Sequence, residues 1–276
     1  MNTSTILAFV VSLLLQVGFP LAVTLIYRRR TATRWLLFAY GAIVFAVFQL
    51  FTWLPLSVYL DAVVGSRVHS ELGAFAWLLA LALATSLVEE SGRWLGYRHL
   101  LPRGGFELTW RNGVMYGLGH ACLETMLLIA GLTFVHLVAY LVFSRLDLHS
   151  LIPSTATEAT PAVSEALQAL ADTSWDQPLV VALERILALA HQVAWALLVM
   201  QSHLSRQKRW FGFAVLYHSS VAVIVPGLAR LFGFAVAEGV NVVLASLSLA
   251  IILRLREVSL AEAYVETRTR PRRALG

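Results

Sequence analysis

Residues 5–27 read TILAFVVSLLLQVGFPLAVTLIY, and three arginines, Arg28 to Arg30, follow directly. A helix crosses a bilayer core with about 20 apolar residues, so this stretch predicts a transmembrane helix. A cleaved secretory signal has its positive charge before the apolar run and ends at small residues, which is the opposite arrangement. We therefore expect this first helix to remain in the mature protein.

The composition of the whole chain predicts a lipid environment. Of its 276 residues, 58% are hydrophobic and 13% are charged, and the mean hydropathy is +0.73. Soluble domains are typically about 45–50% apolar and about 25% charged. The chain carries a formal net charge of +5, but its basic residues lie in short clusters between apolar runs. Such clusters are typical of membrane topology signals, so we expect no nucleic-acid partner.

Seven apolar runs are long enough to span a membrane. They lie near residues 5–27, 34–58, 72–95, 112–142, 178–203, 210–232 and 236–255. The prediction is an all-α, polytopic transmembrane bundle that forms one domain, residues 1–257, with a charged tail at 258–276. An acidic loop at about 145–177 joins the fourth and fifth spans, and residues 165–171 predict a short surface helix within it.

Arginine and lysine alternate between the connections. They concentrate after the first, third and fifth spans and in the tail, whereas the intervening connections are poor in both residues. Basic connections stay in the cytoplasm. Seven spans then predict an N-terminus outside the cell and a cytoplasmic C-terminus.

Ionisable side chains inside membrane spans are costly and are a functional hypothesis by default. The third to sixth spans carry such residues: Glu89, Glu90, Arg93, His120, Glu124, Glu184, Arg185, His191 and His218. From the predicted span ends, Glu89 and Glu90 lie roughly 6–10 Å deep and His120 and His218 roughly 12 Å deep. His191 lies about 18 Å deep, close to mid-membrane. Four helices therefore bring carboxylates or imidazoles into the inner half of the bilayer.

The spacing within each span predicts pairs on one helix face. Arg93 follows Glu89 by four residues and Glu90 by three, so either carboxylate can contact the guanidinium. His120 and Glu124 are also four residues apart. Small residues let helix backbones approach closely in membranes, and we expect Gly117 and Gly119 to do so beside His120.

Imidazoles with carboxylates indicate metal-assisted hydrolysis. Catalytic Zn²⁺ sites combine such ligands with an open position for water, and a second carboxylate can take the proton of that water. The predicted ligands of a divalent transition metal, with Zn²⁺ preferred, are His120, Glu124, His191 and His218. The predicted catalytic group is Glu89, Glu90 and Arg93. The residues alone do not distinguish Zn²⁺ from Co²⁺, Ni²⁺ or Fe²⁺, or from a metal-free glutamate mechanism.

Four stretches in this order resemble the YhfC-type intramembrane metalloproteases, distant relatives of the CAAX-processing and bacteriocin-processing membrane proteases. They are Glu-Glu-x-x-Arg at 89–93, Gly-His-x-x-x-Glu at 119–124, Glu-Arg…His at 184–191, and His218. The resemblance extends from the third span onward, and its specificity lies in the ensemble because each motif is short. It implies a bacterial plasma-membrane enzyme with a water-accessible cavity that opens to the cytoplasm.

The resemblance also implies residue roles. Glu89 or Glu90 would be the base, Arg93 its orienting partner, and His120 and His218 site imidazoles, while His191 matches the subfamily alone. CAAX-type enzymes have three residues between the glutamate pair and the arginine, whereas this chain has two. They also have an Asn or Asp four positions after the last histidine. Here position 222 is alanine, which leaves the group that stabilises the oxyanion in question, and Glu124 is a candidate to replace it in part.

The main hypothesis from the sequence is a membrane metalloprotease that cuts a peptide or membrane-protein substrate near the cytoplasmic face. Two alternatives use the same polar cluster. One is an ion- or proton-coupled transporter or ligand-binding membrane protein, although no inverted repeat is evident. The other is a catalytically inactive relative that binds a membrane partner.

Overall fold

The computed structural model describes residues 2–143, 168–170 and 172–269, with side chains described as far as Glu257. Seven helices in these ranges are long and apolar enough to cross a membrane. They are α1 (Thr3–Thr31), α2 (Trp35–Arg67), α3 (Glu71–Arg103), α4 (Trp110–Phe143), α5 (Asp176–Leu204), α6 (Arg209–Phe232) and α7 (Phe234–Thr269). The same ranges contain no strand. The predicted all-α bundle of seven spans is therefore confirmed.

Several helices run further than the hydropathy pattern predicts. The α-helical part of the third span ends at Leu95, as predicted, but Gly96–Leu100 continues the helix as a π-helix and α3 ends at Arg103. Glu89 therefore lies about 21 Å from that end of α3, not 6–10 Å. α7 continues as a helix to Thr269, across most of the predicted tail. Of the predicted surface helix at 165–171, only 168–170 is described, and it is helical.

We call the helix ends beside residues 32–34, 104–109 and 205–208 the inner ends, and those beside 68–70, 144–175 and 233 the outer ends. Side-chain caps fix several of these boundaries. Asn2 accepts from the Ser4 backbone at the start of α1, and Thr109 accepts from the Asn112 backbone at the start of α4. Each cap satisfies a backbone N–H that the helix leaves unbonded.

Helices α4 and α5 form the centre of the bundle. Residues 113–122 of α4 and 191–200 of α5 are buried without interruption, which indicates helices surrounded by protein on every side. α4 packs against α2 and α5, α5 also packs against α1, α6 and α7, and α6 packs against α3. The four spans that carry predicted site residues, α3 to α6, therefore meet near this centre.

Glycines bring α4 close to its neighbours, as the sequence predicts. A Cβ added at Gly119 would overlap the backbone carbonyl of Phe38 on α2, and one at Gly117 would come within 3.1 Å of the Val193 Cα on α5. Both approaches place α4 backbone directly beside His120. Large apolar side chains such as Phe51 and Leu231 cover the outside of the bundle, which is the surface of an integral membrane protein.

Candidate functional site

The α3 residues predicted to pair do so. The Arg93 guanidinium contacts Glu90 Oε1 through Nη1 and lies 3.3 Å from Glu89 Oε2 through Nη2. Arg93 and Glu90 are fully buried, and Glu89 is 4% exposed. A buried cation therefore holds two carboxylates of adjacent residues, which would otherwise repel each other.

Two histidines from other helices complete this group. His120 Nε2 on α4 lies 3.2 Å from Glu89 Oε2, and His218 Nδ1 on α6 lies 2.8 Å from Glu90 Oε1. Each glutamate thus has its own imidazole, with Arg93 between the two pairs. We call Glu89, Glu90, Arg93, His120 and His218 the central cluster.

Gln192 on α5 joins the central cluster to Glu124. Its side-chain oxygen accepts from Arg93 Nη2, and its amide nitrogen donates to Glu124 Oε2. Glu124 Oε1 also accepts from Arg185 at 3.1 Å. Glu124, a predicted metal ligand, therefore forms an ion pair with Arg185 beside the central cluster. This pair joins α4 to α5.

Sequence reasoning missed Gln192 because it considered only ionisable side chains. A buried amide in a membrane span is also costly and would have been found by the same argument. Gln192 also directly follows the predicted site residue His191, which is a further reason to consider it.

His191 lies outside the central cluster. Its Nδ1 is 2.8 Å from Ser248 Oγ and its Nε2 is 3.2 Å from Asn241 Oδ1, so both ring nitrogens are engaged with α7. The Trp195 ring stacks on His218 at 3.8 Å between centroids and on His191 at 5.7 Å. The indole therefore separates the two imidazoles that the sequence predicts as ligands of one ion.

As placed, the predicted ligands do not fit one metal centre. Within the described part of the chain, no three or more His, Cys, Asp or Glu side chains are grouped so that they could hold a metal ion. His120 Nε2 and His218 Nδ1 face different carboxylates, and each of those carboxylates also contacts Arg93. His120 Nδ1 and Glu90 Oε2 are buried without a hydrogen-bond partner. A metal-bound form would therefore require these side chains to turn, and the predicted ligand roles remain predictions.

A cavity of about 440 Å³ adjoins the central cluster. Glu89 and His218 line it, together with Glu124, His191, Gln192 and Trp195. Glu90 and Arg93 are not among its lining residues. Adjacent helical positions point about 100° apart, and the structure turns Glu89, not Glu90, towards the space.

The cavity extends from Glu89 towards the outer ends of the helices. On α6 its wall runs from His218 to Ala229, about 16 Å, and it reaches Phe234, the first residue of α7. A second cavity of about 400 Å³ shares Glu184 and Phe234 with it and reaches Asp176, the first residue of α5. The two cavities therefore adjoin each other between the outer ends and Glu89.

Aromatic and apolar side chains pack against the inner side of the central cluster. Buried Tyr97 packs on Tyr116 with 4.6 Å between ring centroids, and the Tyr116 hydroxyl donates to the Arg93 carbonyl. Leu101, Met115 and Leu197 continue this apolar core. A cavity of about 560 Å³ also lies on the inner side, between α3, α5 and α6, and Ser91, His203 and Lys208 are among its lining residues. No residue of the central cluster lines it, and the expectation of a site that opens to the cytoplasm stays a prediction.

Comparisons with known proteins agree with the membrane fold and with the family that the sequence resembles. The sequence profile described as YhfC intramembrane metalloprotease matches residues 11–245. The chain is 24% identical over 243 residues to the "uncharacterized membrane protein YhfC" of Bacillus subtilis (strain 168), which covers 87% of this chain and 92% of that protein. No solved structure matches. The family's name implies a metal ion and a peptidase, and the profile match covers most of the chain: it belongs to the YhfC intramembrane metalloprotease family.

Proposed function

We propose that the chain hydrolyses a peptide bond inside the membrane, with Glu89 as the base that activates water. The observation that carries this proposal is the position of the Glu89 carboxylate. It lines the cavity on one side and contacts His120 and Arg93 on the other. Both contacts use Oε2, which leaves Oε1 for a water molecule in the cavity.

The proton transfers follow from this arrangement. Glu89 takes a proton from water while the water oxygen forms a bond to the carbonyl carbon of the substrate. Glu89 then returns that proton to the amide nitrogen, and the C–N bond breaks to give a carboxylic acid and an amine. The proton of the new acid passes to the amine, which leaves a carboxylate and an ammonium group. A carboxylate that acts as base and then as acid contributes roughly 10²–10⁴-fold to the rate.

His218 is the candidate for stabilising the oxyanion. Its Nδ1 is held by Glu90 at 2.8 Å, and its ring is stacked on Trp195, so its orientation is fixed. The ring lines the cavity, where a proton on Nε2 of the imidazolium form would face the carbonyl oxygen. This role replaces the Asn or Asp that position 222 lacks, and it requires no contribution from Glu124.

The other members of the cluster are positioning residues. Arg93 holds both carboxylates, and Gln192 fixes Arg93 from α5. The predicted Zn²⁺ would supply Lewis acidity if it bound, but no step above depends on it. The ligand roles predicted for His120, Glu124, His191 and His218 are tested by metal analysis below.

The substrate is a membrane segment or peptide that enters from the outer ends of the helices. The cavity that Glu89 lines extends towards that side, whereas the cavity on the inner side is lined by no residue of the central cluster. With the predicted orientation, the outer ends are extracytoplasmic, so the substrate approaches from outside the cell. This differs from the main hypothesis from the sequence, which places cleavage near the cytoplasmic face, and from the cytoplasmic opening of the cavity that the resemblance implies.

A transporter would need a route to both sides of the membrane. The cavity that Glu89 lines extends from it towards the outer ends, and apolar side chains pack on its inner side. Ion flux into proteoliposomes that required His191 would support transport instead. An inactive relative would keep its biological effect when Glu89 is replaced.

The experiment compares protein N-termini in membranes of the native host that carries either the wild-type chain or Glu89→Gln. We expect a defined set of internal cleavage sites in membrane proteins that is present with the wild type and absent with the variant at equal protein abundance. Identical sets in both strains would contradict the proposal.

A further inference from the structure

A separate cavity lies at the inner ends of α1, α2, α4 and α7, far from the central cluster. Its volume is about 1000 Å³, and four arginines line it: Arg30, Arg34, Arg111 and Arg256. We propose that it binds the phosphate headgroup of an anionic phospholipid. This inference is independent of the proposed peptidase activity.

All charged side chains that line the cavity are positive. Its lining contains no Asp or Glu, and none of the four arginines takes part in a salt bridge among the described side chains. All four are exposed. Guanidinium groups bind phosphate oxygens in pairs of hydrogen bonds, so four of them around one space create a site for a phosphate-bearing anion.

Contacts between helices hold the walls of this cavity in place. The Tyr27 hydroxyl on α1 donates to the Arg111 carbonyl at 3.1 Å, and the Trp110 indole on α4 donates to the Ile252 carbonyl on α7 at 2.8 Å. The Arg256 guanidinium lies 5.5 Å from the Trp110 ring centroid. Binding therefore requires little reorganisation of the protein.

The apolar part of the lining favours a lipid over a free phosphate. Val23 and Ile26 lie one to two turns from Arg30 towards the membrane interior, and Leu37 on α2 lines the same space. A free phosphate ester would leave this surface in water, whereas a phospholipid would cover it with its acyl chains. Basic pockets between helix ends bind such headgroups in membrane proteins.

Arg28 and Arg29 provide a matched control. They lie on α1 beside Arg30 and are exposed, but they do not line the cavity. A general attraction between a basic surface and anionic lipid would depend on them as much as on the cavity arginines.

The experiment uses the full chain purified in a neutral detergent and titrated with cardiolipin, phosphatidylcholine or inorganic phosphate. Native mass spectrometry counts the bound lipid, and the shift in Tm reports its effect on stability. We expect cardiolipin to bind and to raise Tm, with phosphatidylcholine and millimolar phosphate having little effect. The double variant Arg30→Gln/Arg256→Gln should bind cardiolipin about tenfold more weakly, and Arg28→Gln/Arg29→Gln should bind it like the wild type.

Equal weakening in both double variants would overturn the proposal, because it would show general surface attraction. Equal binding of cardiolipin and phosphatidylcholine would also overturn it. If inorganic phosphate raised Tm as much and displaced the lipid, the site would take a free phosphate and the lipid assignment would fall. Size-exclusion profiles of the two variants check that both remain folded, which is expected because all four substituted arginines are exposed.

Discussion

The Glu89 carboxylate on α3 and the His120 imidazole on α4 lie 3.2 Å apart, although 31 positions separate them in the sequence. Glu90, the next residue on α3, turns away from His120 and contacts His218 on α6 at 2.8 Å. Two adjacent glutamates thus face different helices. We infer different tasks for them, with Glu89 acting on substrate and Glu90 holding the bundle together.

The first prediction concerns stability. Glu90→Gln should lower the free energy of unfolding by about 3 kcal/mol, because the fully buried Glu90 contacts both Arg93 and His218, and Arg93 then keeps only its longer contact with Glu89. Glu89→Gln should cost less than about 1.5 kcal/mol, since Arg93 keeps its contact with Glu90. Unfolding of both variants in detergent measures the difference. An equal cost for the two substitutions would contradict this division of roles.

The second prediction tests the close packing beside His120. Gly119→Ala places a methyl group against the Phe38 carbonyl, so α4 must move away from α2, and the expected loss of stability is roughly 1–3 kcal/mol. Gly131→Ala, on the same helix, meets nothing within 4 Å and should be neutral. Thermal unfolding of the two variants is the measurement. A neutral Gly119→Ala would show that this contact does not position His120.

The third prediction concerns the direction of the cavity. In a Cys122→Ala background, Ala222→Cys and Ala229→Cys place thiols on the cavity wall. A membrane-impermeant thiol reagent should label both from the extracytoplasmic side. Ala214→Cys, fully buried towards the inner end of α6, should stay unlabelled from either side. Labelling of the two cavity positions from the cytoplasmic side alone would contradict either the route or the predicted orientation, and reporter fusions at the termini separate these explanations.

The fourth prediction concerns the metal. The zinc site predicted from the sequence requires about one Zn²⁺ per chain, lost in the double variant His120→Ala/His218→Ala. Elemental analysis of protein purified without chelators tests this. A folded wild-type protein with a negligible content of transition metal would contradict the zinc prediction. It would leave Glu89, positioned by His120 and Arg93, as the base of a metal-free mechanism.

The hydropathy pattern was enough to predict the fold, because a soluble protein of this length could not bury seven long apolar runs in its core. It was less accurate at helix ends. Gly96–Leu100 continues α3 as a π-helix although Arg98 and His99 lie in it, because polar side chains at a membrane interface do not end a helix. Glu89 therefore lies further from the inner end of its helix than predicted.

The membership of the central cluster followed largely from the sequence, but its connections did not. Local spacing predicted that Arg93 pairs with Glu89 and Glu90 on one helix. Which glutamate meets His120 depends on how α3 and α4 are rotated against each other, and this is set by packing at Gly119 and Phe38. His191 was grouped with the other imidazoles on depth alone, and depth does not reveal that the Trp195 ring stands between them.

The central claim is that Glu89 activates water for peptide hydrolysis. Its most direct test is incubation of the purified, reconstituted chain with a library of synthetic transmembrane peptides in H₂¹⁸O, followed by mass spectrometry. We predict cleavage of at least one peptide with ¹⁸O in the new C-terminal carboxylate, and a rate at least about 10²-fold lower with Glu89→Gln. Cleavage by Glu89→Gln at the wild-type rate would contradict the claim.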